Sequence, residues 1–172
     1  MRLLPTPDFT ATLERAPGGA SSALHTVKKM RSLVKSERIL PFIINNAVTI
    51  IQMAPQKDEL SEIAALFDFV QGHIRYVRDV AGLETLSTPS MTMQRMVGDC
   101  DDKATLLATL LEAVGYPTRF IMTAYTQNQE YEHVYLEVFS SNRNMWFPLD
   151  PTEHFYVGWE PENPYIKWVE NV

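Results

Sequence analysis

The 172-residue sequence contains a single cysteine, Cys100. One thiol excludes an internal disulfide framework, and a zinc site would have to draw its ligands from histidine or acidic side chains instead. Basic side chains are also scarce. Fifteen Lys and Arg face 21 Asp and Glu, for a formal charge of −6, and no Lys/Arg cluster is dense enough to displace counterions from a phosphate backbone. Nucleic acid is therefore not expected as a partner. Long apolar runs are missing too. The stretch "ILPFIINNAVTIIQM" is interrupted by Pro41, Asn45 and Asn46 and falls short of the roughly 20 residues that cross a bilayer. The N-terminal "MRLLPTPDFT" lacks the apolar core and small-residue cleavage site of a secretion signal. These absences lead to the expectation of a cytoplasmic chain with no membrane partner. No calcium loop of the EF-hand type occurs, and neither cofactor nor metal is expected.

What is present is enough for one core. A content of 45% hydrophobic and 10% aromatic residues fits a globular domain of this length. Pro5, Pro7, Pro17, Gly18 and Gly19 make residues 1–20 an extended lead-in. The remainder, 21–172, is expected to be one domain, with a core over about 60–155 and an aromatic tail over 154–172. Leu24, Val27, Met30, Leu33 and Val34 recur at helical spacing over 21–35. Ser36 is the expected N-cap of a second helix, 37–53, with Pro41 near its first turn. A third helix is expected over 57–76, and the stretch around Gly82 and Pro89 reads as a loop.

The strongest helix signal is "DDKATLLATLLEAVG", with acids in the first turn and Gly115 as terminator. Its apolar residues cover more than one face, as in a helix enclosed by other elements. Three strand-like runs follow, at 118–125, 132–140 and 144–152. In the middle one Val134, Leu136 and Val138 alternate with His133, Tyr135, Glu137 and Phe139. The turn "SNRN" joins it to the third. Helices first and an antiparallel sheet afterwards define an α+β domain.

Cys100 stands at the start of the strong helix, within "GDCDDK". A helix N-terminus stabilises a thiolate, but Asp99, Asp101 and Asp102 oppose it unless they cap the helix or point away. Helix capping is the expected role of these acids. The thiol also needs a histidine to take its proton, itself oriented by a carboxylate. His25 and His73 lie on helices and read as structural; His154 is incidental. His133 is different. If the turn centres between Asn142 and Arg143, His133 faces Thr152 and Tyr135 faces Asp150, so that His133 and Asp150 become diagonal neighbours on one sheet face. A turn with an odd number of residues would separate them. Candidate donors for a developing oxyanion are the Cys100 N–H and the side chains of Gln94 and Tyr76.

Assembled in this order, the motifs resemble the transglutaminase-like superfamily. The similarity spans roughly residues 60–155 and is carried by "YVRD" (76–79), "GDCDDKATLLATLLEAVGYPTRF" (98–120), "EHVYLEV" (132–138) and "WFPLDPT" (146–152). It is nearest to the compact bacterial and phage-borne members. The resemblance implies a papain-like core of a helix followed by an antiparallel sheet. It also implies Cys100 as nucleophile, His133 as general base and acid, and Asp150 as the residue orienting His133. Family members include cross-linking enzymes, peptidases and deamidases, and some have lost catalysis. Two expectations follow. One is a cysteine-dependent hydrolase or acyltransferase acting on amide bonds of a protein or peptide through a thioester at Cys100. The other is a non-catalytic binding or assembly protein on the same fold, for example in phage morphogenesis. The sequence does not define the oligomeric state.

Overall fold

A computed structural model of the chain describes residues 20–55, 58–78, 85–126 and 131–172. All of the expected lead-in except residue 20 lies outside these. In order, the elements are α1 (Ala20–Glu37), α2 (Pro41–Gln52), α3 (Glu59–His73), β1 (Arg75–Tyr76), α4 (Pro89–Arg95), β2 (Val97–Gly98), α5 (Cys100–Ala113), β3 (Thr118–Ala124), β4 (His133–Ser140), β5 (Met145–Leu149) and β6 (Ile166–Asn171). The α+β expectation holds, with helices first and an antiparallel four-stranded sheet in the order β5-β4-β3-β6.

Helix α5 occupies the centre. It contacts α1, α2, α3 and α4 on its helical sides and β3 and β4 on the sheet side. Every residue from Asp102 to Leu111 is buried, as the apolar pattern on more than one face requires. The helix stops where Gly115 takes φ +92°, a left-handed conformation that glycine adopts without strain. Ile63, Leu66, Phe67 and Val70 of α3 join Val134, Leu136, Val138 and Leu149 of the sheet in one core around it.

Three differences from the sequence reading have local causes. Ser36 does not cap α2. It lies inside α1 and bonds back to the Leu33 carbonyl at 3.0 Å, while Leu40, extended before Pro41, is the N-cap residue. The residue before a proline is pushed out of the helical region, so the break falls at residue 40. Within the stretch read as a loop, Pro89–Arg95 forms α4. Its first turn has the Thr88 hydroxyl as cap and a proline at its start. The buried Glu37 carboxylate accepts the Ser90 N–H at 2.8 Å and the Ser90 hydroxyl at 2.7 Å, and this tertiary contact was not legible from spacing. Finally, the expected tail contains a strand: β6 pairs antiparallel with β3, from Arg119↔Asn171 to Ala124↔Ile166. Its prolines precede the strand, so nothing obstructs the ladder.

The β4–β5 register is the one the sequence suggested. Leu136 pairs with Leu149, and Ser140 with Met145. The intervening turn is fastened by Glu59, whose carboxylate accepts from the Ser140 hydroxyl at 2.7 Å and the Ser141 N–H at 2.8 Å.

Candidate active site

The site forms where the start of α5 meets the start of β4. A two-residue parallel ladder sets Tyr76 beside Gly98, with Val77 N–H bonded to the Gly98 carbonyl at 3.0 Å. Gly98 is needed here for space: a Cβ would lie 2.6 Å from the Cβ of Asp102. The chain then turns into α5, where the Asp99 carboxylate accepts the Asp102 N–H at 3.0 Å as the N-cap. Asp102 is buried and accepts the Ser87 N–H at 2.8 Å. Asp99 thus takes the expected capping role, and Asp102 tethers the segment before α4.

Asp101 does not point away from the sulfur. The Cys100 thiol donates to Asp101 Oδ1 across 3.5 Å. Burial pushes the thiol pKa well above its ordinary value, and the charges of Asp101 and Asp99 push it further; the Val134 N–H works in the opposite direction. Burial and these acids together favour the thiol over the thiolate.

On the sheet side, carrying the β4–β5 register one step beyond its last pair sets Asp150 opposite Tyr135 and diagonal to His133. The contact is made: His133 Nε2 lies 2.6 Å from Asp150 Oδ2. Because a carboxylate accepts, Nε2 carries the proton and Nδ1 is left as the acceptor. Asp150 is 2% exposed, and its other oxygen accepts the Thr152 N–H at 3.0 Å and the Glu153 N–H at 3.4 Å. Burial lowers the His133 pKa, but the bond to Asp150 and the charges of Asp150, Glu153 and Asp101 outweigh it and leave the pKa raised.

Cys100 and His133 line one cleft of about 250 Å³, together with Tyr76, Arg78, Asp101, Glu132 and the α1 residues Val27 and Met30. Tyr76 is 43% exposed and lines the cleft. Gln94 is exposed on α4 and is not part of that wall. His25, His73 and His154 are exposed, and His73 stacks on Phe69 one turn earlier in α3. The wall contributed by α1 had no signal in the sequence. Nor did Lys103, buried in the first turn of α5, since a lysine that follows Asp101 and Asp102 reads as part of a solvated helix start. Among the described residues no group of three or more His, Cys, Asp or Glu side chains is placed to hold a metal ion. No helix among them is long and apolar enough to cross a membrane.

An enclosed helix that opens on a cysteine and packs on an antiparallel sheet bearing a His–Asp pair defines a papain-like class of fold. The sequence profile of the transglutaminase-like superfamily matches residues 47–151, more than half of the chain, and the protein belongs to that superfamily. A search of curated proteins gives no match. Solved structures share the fold. LapG of Legionella pneumophila, in a calcium-bound form, is 18% identical with a TM-score of 0.55, covering 84% of this chain and 87% of its own. A provisionally assigned cysteine protease of Cytophaga hutchinsonii is 14% identical with a TM-score of 0.52; the match covers 76% of this chain but only half, 50%, of that protein. A Rad4–Rad23 complex bound to a UV lesion also matches, at 14% identity and TM-score 0.52, over 79% of this chain and 39% of that one.

Proposed function

We propose that the protein is a cysteine-dependent enzyme that cleaves or transfers acyl groups at amide bonds of a peptide or protein. The observation that carries this reading is the part-buried 2.6 Å contact between His133 Nε2 and Asp150 Oδ2, at the cleft that holds the chain's only cysteine. In this reading the Cys100 sulfur attacks the amide carbonyl carbon while its proton passes to His133 Nδ1. Asp150 holds the imidazole in the tautomer that can receive it and stabilises the imidazolium that results. The Cys100 N–H and the Tyr76 hydroxyl are the candidate donors to the oxyanion; Gln94 would need to move toward the cleft. Collapse of the tetrahedral species breaks the C–N bond, the leaving amine takes the proton from His133, and a thioester remains on Cys100. Water would then give a peptidase or deamidase, and a lysine amine a cross-linking enzyme. Water needs no second binding site and is the simpler acceptor.

Because burial and the neighbouring acids favour the thiol over the thiolate, and the thiol donates to Asp101, this reading takes the attack as base-assisted. The same observation favours a second reading, a binding or assembly protein that keeps the fold without the chemistry. A panel of peptides and glutamine amides, with intact-mass detection of the acyl adduct, separates the two readings. The enzyme reading expects product and a thioester-sized mass increase on Cys100, both lost in Cys100→Ala. If no substrate in the panel gives an adduct or product, the binding reading takes its place.

A further inference from the structure

Lys103 is 2% exposed, although a lysine ordinarily extends its ammonium to water along its own aliphatic stem. A buried ammonium costs several kcal/mol unless its charge is matched. The hydrogen bond its Nζ makes is a long one, 3.4 Å to the Gln71 carbonyl on α3. Gln71 has a second role. Its side-chain amide donates to the carbonyls of Glu153 and Phe155 at 2.6 and 2.8 Å, holding the turn whose Thr152 and Glu153 N–H groups bond Asp150. Gln71 therefore ties the ammonium to the turn that holds Asp150, while Lys103 and Asp150 form no direct ion pair, the Asp150 carboxylate being paired with His133. Burial pushes the Lys103 pKa down, and the charge of Asp150 holds it up.

We propose that Lys103 is a positioning residue for the Asp150–His133 pair: its buried ammonium is the counter-charge that keeps the Asp150 carboxylate in place and limits how tightly Asp150 holds the imidazolium. The inference rests on the catalytic reading of that pair. A carboxylate with no second cation would retain the imidazolium and slow the return of its proton to the leaving amine. The groups that face His133 are Asp150 and Glu153 from the turn after β5, Cys100 and Asp101 from α5, and Arg78 and Glu132 on the cleft wall. Of these only Arg78 is a fixed cation, so removing Lys103 leaves a largely acidic environment.

The test is NMR titration of the His133 ring in the full chain, carried in a Cys100→Ala background and compared with Lys103→Met and Lys103→Gln. Both variants remove the charge, and glutamine keeps an amide donor for Gln71. The His133 midpoint is expected to rise by roughly 0.5 to 1 unit in both. With Cys100 present, the acid limb of kcat/KM should rise by the same amount. A folded variant whose midpoint stays within about 0.2 unit of the parent overturns the proposal, because a spacer would leave the titration unmoved. If neither variant folds, the Lys103 Cε resonance in Asp150→Asn decides: its midpoint is expected to fall, and an unchanged midpoint overturns the proposal. The ring titration needs no turnover. An inactive protein that shows the shift would count against the catalytic reading and not against Lys103.

Discussion

On the sheet side of the cleft, His133 meets a buried carboxylate at 2.6 Å, and that carboxylate is itself held by two backbone N–H groups. On the helix side, the Cys100 thiol has a 3.5 Å contact to Asp101, and its pKa is driven upward by burial and by neighbouring acids. In the proposed catalytic reading the candidate base is already paired, whereas the surroundings of the candidate nucleophile hold its pKa up. The difference has a structural origin. Backbone ladders fix His133 and Asp150 to within one register, whereas the surroundings of Cys100 depend on the side-chain positions of the acids on either side of it, Asp99 and Asp101. Activation of such a site has to occur at the sulfur, when substrate displaces Asp101 or when His133 takes the proton during attack.

The largest effect should come from breaking the assembled side. Asp150→Asn keeps the size of the side chain but removes the charge and allows the wrong imidazole tautomer. Turnover of an amide substrate should fall by about 10²- to 10⁴-fold. The pH profile carries the sign. His133 must be neutral to act as base, so in the parent kcat/KM falls as pH drops through a pKa raised above the ordinary 6.5. Without Asp150 the burial that opposes the charged ring is less compensated, and the acid limb should move to lower pH. Steady-state kinetics from pH 5 to 9 check both outcomes. An unchanged acid limb would mean that another group sets the His133 pKa.

A smaller effect should come from relieving the unassembled side. Asp101→Asn removes the charge nearest the sulfur, so the thiol pKa should fall and iodoacetamide should label Cys100 at pH 7.5 about tenfold faster, roughly the consequence of a one-unit shift. Equal rates would mean that burial alone holds the thiol protonated. The carboxylate would then have no part in the resting state.

Much of the architecture was legible because it follows from short-range pattern. The enclosed α5, its Gly115 stop and the β4–β5 register all came from apolar spacing and turn composition, and the register by itself placed His133 diagonal to Asp150. What was not legible depended on distant partners. Helix α4 has a cap and a proline in its sequence, but it is secured by Glu37, 53 residues before Ser90. Strand β6 is too short and too mixed in polarity to announce itself, and it exists because β3 offers an edge. At the site, the sequence singled out Cys100, His133 and Asp150; the structure sets Cys100 and His133 on one cleft and pairs His133 with Asp150. The sequence did not reveal that Asp101 would turn toward the thiol, because the rotamer of one side chain within "DCDD" is decided by what packs around it. It also left Lys103 unremarked, since a lysine beside two aspartates at a helix start is ordinarily solvated.

The smallest expected effect most sharpens the contrast between the two sides. A preformed thiolate–imidazolium pair would label fast at mildly acidic pH and slow sharply in His133→Ala. The structure leads to a different expectation. The groups that set the resting thiol are its burial, Asp101, Asp99 and the Val134 N–H, so His133→Ala should change the iodoacetamide rate by less than about threefold, a difference under 1 kcal/mol, while abolishing turnover. That combination would place the coupling of sulfur and imidazole in the substrate-bound state. A tenfold or greater slowing of labelling in His133→Ala would instead show that the two sides are coupled before substrate arrives, and that the Asp101 contact is readily exchanged for His133.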